Sequence, residues 1–202
     1  MTVNFDNAAT TFPKPKQVIE TVSKAVTEYG GNAGRGGHSL SSKTSEAVFT
    51  ARRITAEFFG AKTENTIFTS SCTHSLNMAI LGILKKGDHA VISSMEHNSV
   101  TRPITALTEK GIITCNVAKV EKSDEKTIEN FKSAIKNNTK AVIMSAASNV
   151  TGQILPFKEV AEFCQKKNIC FILDAAQAAG ILPIKLENGI SIICTAGHKG
   201  LY

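Results

Sequence analysis

Apolar and polar positions along this chain follow two periods, and the two periods alternate. Short apolar runs predict buried strands at residues 66–69, 89–93, 112–117, 141–145, 169–173 and 190–194. Apolar positions three and four residues apart predict amphipathic helices at 16–29, 42–60, 73–84, 100–109, 125–136 and 157–167. Because strands and helices alternate after residue 66, we expect an α/β fold built on a doubly wound, parallel sheet.

Two segments near the N-terminus fit neither pattern. Residues 1–12 are short, polar and turn-rich, and we expect an N-terminal arm there, followed by one large domain over 13–202. Residues 30–38 contain so many glycines that neither helix nor strand is expected. Arg35 and His38 are the strongly polar side chains of this loop. A mobile surface loop and a loop that closely approaches another group are both compatible with it.

The composition of the chain limits the kinds of partner that the protein is expected to bind. The net charge of +6 comes mostly from scattered lysines, and the chain has no tryptophan and two tyrosines, so we expect no nucleic-acid binding. No basic-then-apolar leader and no run of membrane-spanning length is present, so we expect no membrane association. The five cysteines lack metal-binding spacing, and reduced thiols in a cytoplasmic protein without a metal site are expected.

Polar residues follow the predicted strands where each one ends. Ser70–His74 opens a helix, and its backbone N–H groups with the Thr73 hydroxyl could seat a phosphate; a plain N-cap by Ser71 or Thr73 is the alternative. His97 follows the second strand and could stack on a flat ring or move protons, although an isolated loop histidine usually does neither. Asn149 lies in a turn after the fourth strand, from which an amide could reach a phenolic oxygen.

An acid and an amine follow the last two strands. Asp174 ends the run at 169–173, and Lys199 comes shortly after the run at 190–194. Taken singly, such an aspartate is often a helix cap and such a lysine is usually a solvated side chain. The carboxyl ends of parallel strands meet at one edge of a sheet, so both groups are expected there together. A lysine can form a Schiff base with an aldehyde cofactor while an aspartate keeps a pyridine nitrogen protonated, which is the chemistry of pyridoxal 5'-phosphate (PLP).

Six segments carry a resemblance to a known family. They are Asp6–Thr11, Arg35–His38, Glu96–Ser99, Ser148–Gly152, Asp174–Gln177 and His198–Gly200. In this order they resemble the class V aminotransferases, fold-type I PLP-dependent enzymes that include cysteine desulfurases and selenocysteine lyases. The resemblance spans the whole chain and is strongest to the cysteine-desulfurase-like branch. It implies the large domain of an aspartate aminotransferase-like PLP-dependent transferase.

The resemblance also implies a role for individual residues around the cofactor ring. Lys199 would form the Schiff base and shuttle the substrate's α-proton. His97 would stack on the ring and assist proton transfer, and Asp174 would pair with the ring nitrogen. Gln177 and Asn149 would contact the side of the ring that carries the phenolic oxygen.

Other roles implied by the resemblance concern the phosphate and the substrate. Thr73 and His198 would bind the cofactor phosphate, Cys72 would also contact the cofactor, and Arg35 and His38 would border the substrate pocket. Three positions depart from the family pattern. Ala196 stands where a serine or threonine hydroxyl is usual, and Thr195 is one position away from it. Ser71 stands where glycine is common, and Ala146 stands where histidine is often found.

The resemblance covers about half of a family member, because the chain ends three residues after Lys199. A large domain truncated after the Schiff-base lysine is therefore expected. It would lack the small domain, the arginine that grips the substrate carboxylate and the cysteine that takes up sulfur.

The implied reaction of the full-length enzyme is conversion of L-cysteine to L-alanine. Sulfur would pass to an enzyme cysteine outside this chain and from there to a sulfur-acceptor protein, in a homodimer. We expect the 202-residue chain alone to be inactive. A non-catalytic PLP-fold fragment remains an alternative. So does another class V activity, such as an aminotransferase, an epimerase or a selenocysteine lyase.

Overall fold

The computed structural model describes residues 4–202, which fall into two compact units. One unit contains the chain up to Phe68 together with Tyr202, and the other contains Thr69–Leu201. Residues 1–3 of the predicted arm lie outside the described part, and residues 4–12 contain no helix or strand. The division into an arm and one large domain stays a prediction.

The first unit is helical. Helix α1 covers Lys16–Glu28 and helix α2 covers Ser39–Phe59, followed by a 3₁₀ turn at Thr63–Asn65. Helix α2 begins where the His38 ring accepts a hydrogen bond from the Ser41 N–H, and it ends at Gly60 in the left-handed conformation.

The glycine-rich loop of this unit closely approaches the start of α2. A Cβ atom on Gly31 would lie 2.4 Å from the Ser41 nitrogen and 2.5 Å from the Leu40 carbonyl carbon. Glycine is therefore required at this position by the packing of the loop against backbone. The interpretation of this segment as a loop that closely approaches another group is therefore confirmed at Gly31.

The predicted strand at 66–69 is wrong. Within residues 4–202 no strand pairs with this segment, although its backbone is extended at Thr66. The Thr66 carbonyl accepts a hydrogen bond from Arg52 Nη1 at 3.1 Å, and the guanidinium of Arg52 lies over the Phe68 ring. An apolar run becomes a strand only where a neighbouring strand satisfies its backbone groups.

The second unit is built on a five-stranded parallel sheet, in which every neighbouring pair is parallel. Its strands, in chain order, are β1 (His89–Ser93), β2 (Thr114–Ala118), β3 (Thr139–Ser145), β4 (Cys170–Asp174) and β5 (Ile192–Cys194). Their spatial order is β2-β1-β3-β4-β5. The predicted parallel α/β sheet is confirmed, with boundaries shifted by up to two residues.

Four helices cover this sheet: α3 (Cys72–Ile83), α4 (Asn98–Glu109), α5 (Asp124–Ala134) and α6 (Phe157–Lys166). Helices α3 and α4 pack on each other and on one face, where Leu76 and Ile104 meet Ile92, Ile143 and Ile172. Helices α5 and α6 pack against β1–β4. Because side chains alternate across a strand, the residues between those of the first cluster face the α5–α6 side. They include the buried residues Val91, Val142, Phe171 and Leu173.

The helices of residues 4–202 include none that is both long enough and apolar enough to cross a membrane.

Candidate active site

One cavity lies at the carboxyl edge of the sheet in the second unit, with a volume of about 130 Å³. The loops after β1, β3 and β5, the end of β4 and the first turn of α3 line it. Parallel α/β sheets bind ligands at this edge. The cavity brings together all eight residues predicted to bind the cofactor: Cys72, Thr73, His97, Asn149, Asp174, Gln177, His198 and Lys199.

Asp174 lies at the end of β4 and is 5% exposed. Its Oδ1 accepts hydrogen bonds from the Ala176 N–H at 3.0 Å and from the Cys72 thiol at 3.6 Å. Burial raises the pKa of Asp174, and these donors, His97 and Lys199 partly oppose that rise. A carboxylate held in this way favours a cationic partner with an N–H donor, because such a partner offsets the cost of its desolvation.

Lys199 and His198 come from the loop after β5, with Ala196 beside them in the cavity wall. Thr195 does not supply the hydroxyl that Ala196 lacks, because Thr195 Oγ1 contacts the Ala175 carbonyl at 3.4 Å. The Ala175 N–H donates to the Cys194 carbonyl at 2.8 Å and so joins the ends of β4 and β5. This hydrogen bond fixes the start of the loop that carries His198 and Lys199.

The first turn of α3 forms another wall. Ser71 is the N-cap, and its hydroxyl accepts a hydrogen bond from the His74 N–H at 3.1 Å. The predicted capping by Ser71 is therefore confirmed. It is compatible with a phosphate seat, because the N–H groups of Cys72 and Thr73 belong to the helix turn that has no intrahelical acceptors.

His97 is joined to this helix through Ser99. The Ser99 N–H donates to His97 Nδ1 at 3.1 Å, and Ser99 Oγ lies 2.7 Å from the same nitrogen. Ser99 Oγ also lies 2.7 Å from Thr73 Oγ1. Asn77 reinforces the arrangement, because its side-chain amide donates to the carbonyls of Thr73 at 2.8 Å and Ser99 at 3.4 Å.

Glu96, the residue before His97, joins the ends of β1 and β3. Its carboxylate accepts hydrogen bonds from the Ser93 hydroxyl, from the Ser145 N–H at 2.8 Å and from the Ser145 hydroxyl at 3.0 Å. Burial nevertheless raises the pKa of Glu96 to about 7. Sequence reasoning singled out His97 but assigned no function to Glu96, Ser99 or Ser145.

Cys72 is the thiol that lines this cavity. Burial, followed by the charge of Asp174, raises the pKa of Cys72 well above its ordinary value of 9.0, and burial raises the pKa of nearby Cys194 to about 11. Since the thiolate is the nucleophilic form, neither thiol is suited to attack a substrate.

The remaining predicted residues are divided between the two units. Asn149 lies in a turn where the Ser148 hydroxyl accepts hydrogen bonds from the N–H groups of Val150 and Thr151, and Gln177 follows Asp174. Arg35 and His38 belong to the first unit. Their place at the substrate pocket stays a prediction.

Comparison with known proteins identifies the family. The family model for "Aminotransferase class-V" matches residues 3–202. The chain belongs to the class V aminotransferase family. It is 33% identical over 202 residues to the cysteine desulfurase IscS of Clostridium botulinum, covering 98% of this chain and 50% of that protein. The chain therefore spans about half the length of the curated relatives it matches.

Solved structures give the same family and fold. The apo cysteine desulfurase of Thermococcus onnurineus NA1 matches with a TM-score of 0.86 and 31% identity, covering 97% of this chain and 50% of that one. The structure titled "SspA in complex with cysteine" matches with a TM-score of 0.86 and 26% identity, covering 98% and 59%. These neighbours confirm the PLP-dependent transferase fold.

Class V aminotransferases depend on PLP, and the residues of this cavity fit that cofactor. A buried acid suits a pyridine nitrogen, a helix N-terminus with a threonine hydroxyl suits a phosphate, and a lysine amine suits an aldehyde. The cavity presents all three through Asp174, Thr73 and Lys199.

Proposed function

We propose that this chain forms the PLP-binding part of a cysteine-desulfurase-like enzyme. The observation that carries the proposal is the single cavity that unites Asp174, His97, Lys199 and the first turn of α3. Bound PLP supplies an electrophilic aldehyde and a ring that accepts electrons from the substrate.

Asp174 would hold the proton of the ring nitrogen. Its burial excludes water from the carboxylate, and the hydrogen bond from the Ala176 N–H fixes Oδ1. Lys199 would provide the amine for the aldehyde and would move the proton of the substrate's α-carbon. His97 would cover the ring and assist that proton movement, in a position fixed by Ser99.

Polar residues around the rim orient the cofactor. Thr73, His198 and the N–H group of Cys72 bind the phosphate. Asn149 and Gln177 bind the oxygen side of the ring.

L-cysteine is the proposed substrate, with L-alanine as product. Support comes from relatives described as cysteine desulfurases and from a structural neighbour in complex with cysteine. The sulfur-accepting cysteine is expected outside this chain, because burial raises the pKa of all five of its cysteine thiols. A homodimer that passes sulfur to an acceptor protein in the cytoplasm completes the proposal.

A second candidate is a chain that binds PLP without turning over cysteine by itself. The observation that favours it is coverage of about half of the relatives' length. Another class V activity, such as transamination or selenocysteine lysis, is a further alternative to cysteine desulfuration.

A PLP titration tests the cofactor site. We expect a saturable visible absorption band and, after borohydride reduction and peptide mapping, a phosphopyridoxyl group on Lys199. Lys199→Ala should abolish both, whereas Lys122→Ala, at an exposed lysine outside the cavity, should change neither. Label spread evenly over surface lysines would refute the site.

Alanine release from L-cysteine separates the two candidates. The assay is run on the chain alone and with the C-terminal half of a cysteine desulfurase supplied as a second polypeptide. Release that depends on both Lys199 and the added half supports the desulfurase. PLP binding without release in either arm supports the non-catalytic chain.

A further inference from the structure

We propose that Ser99 couples anion binding at the first turn of α3 to the position of the proton on His97. The proposal rests on the proposed function, because the natural anion is the phosphate of PLP. It goes beyond that function by assigning a positioning role to Ser99, which acts through His97 and Thr73 rather than on the cofactor itself.

The geometry is a short line of three side chains. Thr73 Oγ1 lies 2.7 Å from Ser99 Oγ, which lies 2.7 Å from His97 Nδ1. Ser99 is 6% exposed, so bulk water does not readily replace either partner. The Asn77 side-chain amide donates to the carbonyls of both Thr73 and Ser99, and so holds α3 and α4 together at this point.

Each of the two short contacts needs one hydrogen between its heavy atoms. Without an anion, the Thr73 hydroxyl donates to Ser99, and the Ser99 hydroxyl donates to His97 Nδ1. The Ser99 N–H donates to the same nitrogen at 3.1 Å. Nδ1 is therefore an acceptor, and the neutral imidazole carries its proton on Nε2.

An anion that accepts a hydrogen bond from the Thr73 hydroxyl changes this assignment of donors and acceptors. The three contacts in the line then share only two hydroxyl hydrogens. If the Ser99 hydroxyl donates to Thr73 Oγ1, the lone pairs of Ser99 Oγ and His97 Nδ1 face each other at 2.7 Å. Two acceptors at that distance repel each other. Transfer of the imidazole proton from Nε2 to Nδ1 through solvent removes the repulsion, and Nδ1 then donates to Ser99 Oγ.

The consequence is a neutral histidine whose single proton lies on Nδ1 only when the anion is in place. The hydrogen bond from the Ser99 N–H favours the other tautomer, because it requires an Nδ1 without a proton. His97 Nε2 would therefore be an acceptor when PLP is bound and a donor otherwise.

Sulfate is the probe, since it carries no proton near pH 8 and can only accept. The chain without PLP is titrated with sulfate at pH 8, and the ¹⁵N chemical shift of His97 Nδ1 is followed, assigned by its loss in His97→Gln. The amide resonances of Cys72 and Thr73 report occupancy of the seat independently. Saturating sulfate should shift Nδ1 from an unprotonated to a protonated nitrogen.

Four variants isolate the serine hydroxyl. In Ser99→Ala sulfate should still bind, but the Nδ1 shift should be lost, because the backbone donor alone keeps Nδ1 bare. Ser99→Thr should retain the Nδ1 shift. Thr73→Val should lose it, because valine lacks the hydroxyl that joins the anion to Ser99. Ser123→Ala removes a serine hydroxyl that caps α5, outside the cavity, and should retain the shift.

The outcomes distinguish the two proposals. Sulfate binding with no change at Nδ1, or with equal changes in the original chain and Ser99→Ala, overturns the role of Ser99 and leaves the anion seat intact. No response of the Cys72 and Thr73 amides to sulfate overturns both the seat and the coupling.

Discussion

Replacement of Glu96 by glutamine should flatten the dependence of this protein's stability on pH. The Glu96 carboxylate is removed from water between β1 and β3, where Ser93 and Ser145 supply its hydrogen bonds. Glutamine has the same length and can accept the Ser145 N–H, while its amide can donate to a rotated serine hydroxyl. The substitution therefore removes the charge and keeps the packing.

The size of the effect follows from the pKa. Burial raises the pKa of Glu96 to about 7 from the ordinary value of 4.5. At 1.36 kcal/mol for each pKa unit, the difference corresponds to about 3 kcal/mol. Since the pKa is higher in the folded protein, the stabilising contribution of protonated Glu96 is complete below pH 4.5 and is lost as the pH rises to 7.

Urea unfolding followed by circular dichroism, at steps between pH 4 and pH 8.5, measures the effect. Relative to the original chain, Glu96→Gln should gain about 3 kcal/mol of unfolding free energy across that range. Glu129→Gln is the matched control, because it makes the same substitution at an exposed position of α5, and its profile should run parallel to that of the original chain.

Parallel profiles for Glu96→Gln and the original chain would refute this reasoning. They would mean that the Glu96 carboxylate is as well solvated in the folded protein as in the unfolded chain.

Three further predictions concern stability. Ser71→Ala removes the acceptor of the His74 N–H and should lower the free energy of unfolding by about 1 kcal/mol in urea titrations. Phe131→Ala empties a fully buried site on α5 and should cost about 3–5 kcal/mol in the same assay. Burial, followed by the charge of Lys136, lowers the pKa of His89. The stabilising contribution of neutral His89 should therefore be complete above pH 6.5 and should decrease as the pH falls below that value. Thermal melts of His89→Gln should lack this decrease.

The central strands β1, β3 and β4 were predictable because they are buried on both faces along nearly their whole length. The run at 89–93 is apolar or small nearly throughout, and β1 covers the same residues. The run at 66–69 has a similar composition and forms no strand in the described chain, because a strand depends on a neighbour that its own sequence does not encode. Residues 190 and 191 also lie outside β5, although Ser191 still donates its N–H to the Phe171 carbonyl.

The site was predictable where chemistry follows directly from the end of a strand. Asp174 and Lys199 each follow an apolar run, and parallel strands bring such positions to one edge. The partners of Glu96 and Ser99 could not be predicted in the same way. Ser145 lies 49 residues from Glu96, and Thr73 lies 26 residues from Ser99, so these contacts depend on side-chain packing after the sheet has formed.

The strand order explains why a buried carboxylate lies at this point. The connection from β1 leads through α4 to β2 on one side, whereas β3 and β4 lie on the other. Strands β1 and β3 therefore flank the crevice where the strand order reverses. Glu96 spans that crevice, and its partner Ser145 is the register neighbour of Asp174. One carboxylate thus fixes the spacing between the strand end that carries His97 and the strand end that carries Asp174. Because glutamine preserves this length, Glu96→Gln should change the pH dependence of stability while leaving the distance between His97 and Asp174 intact.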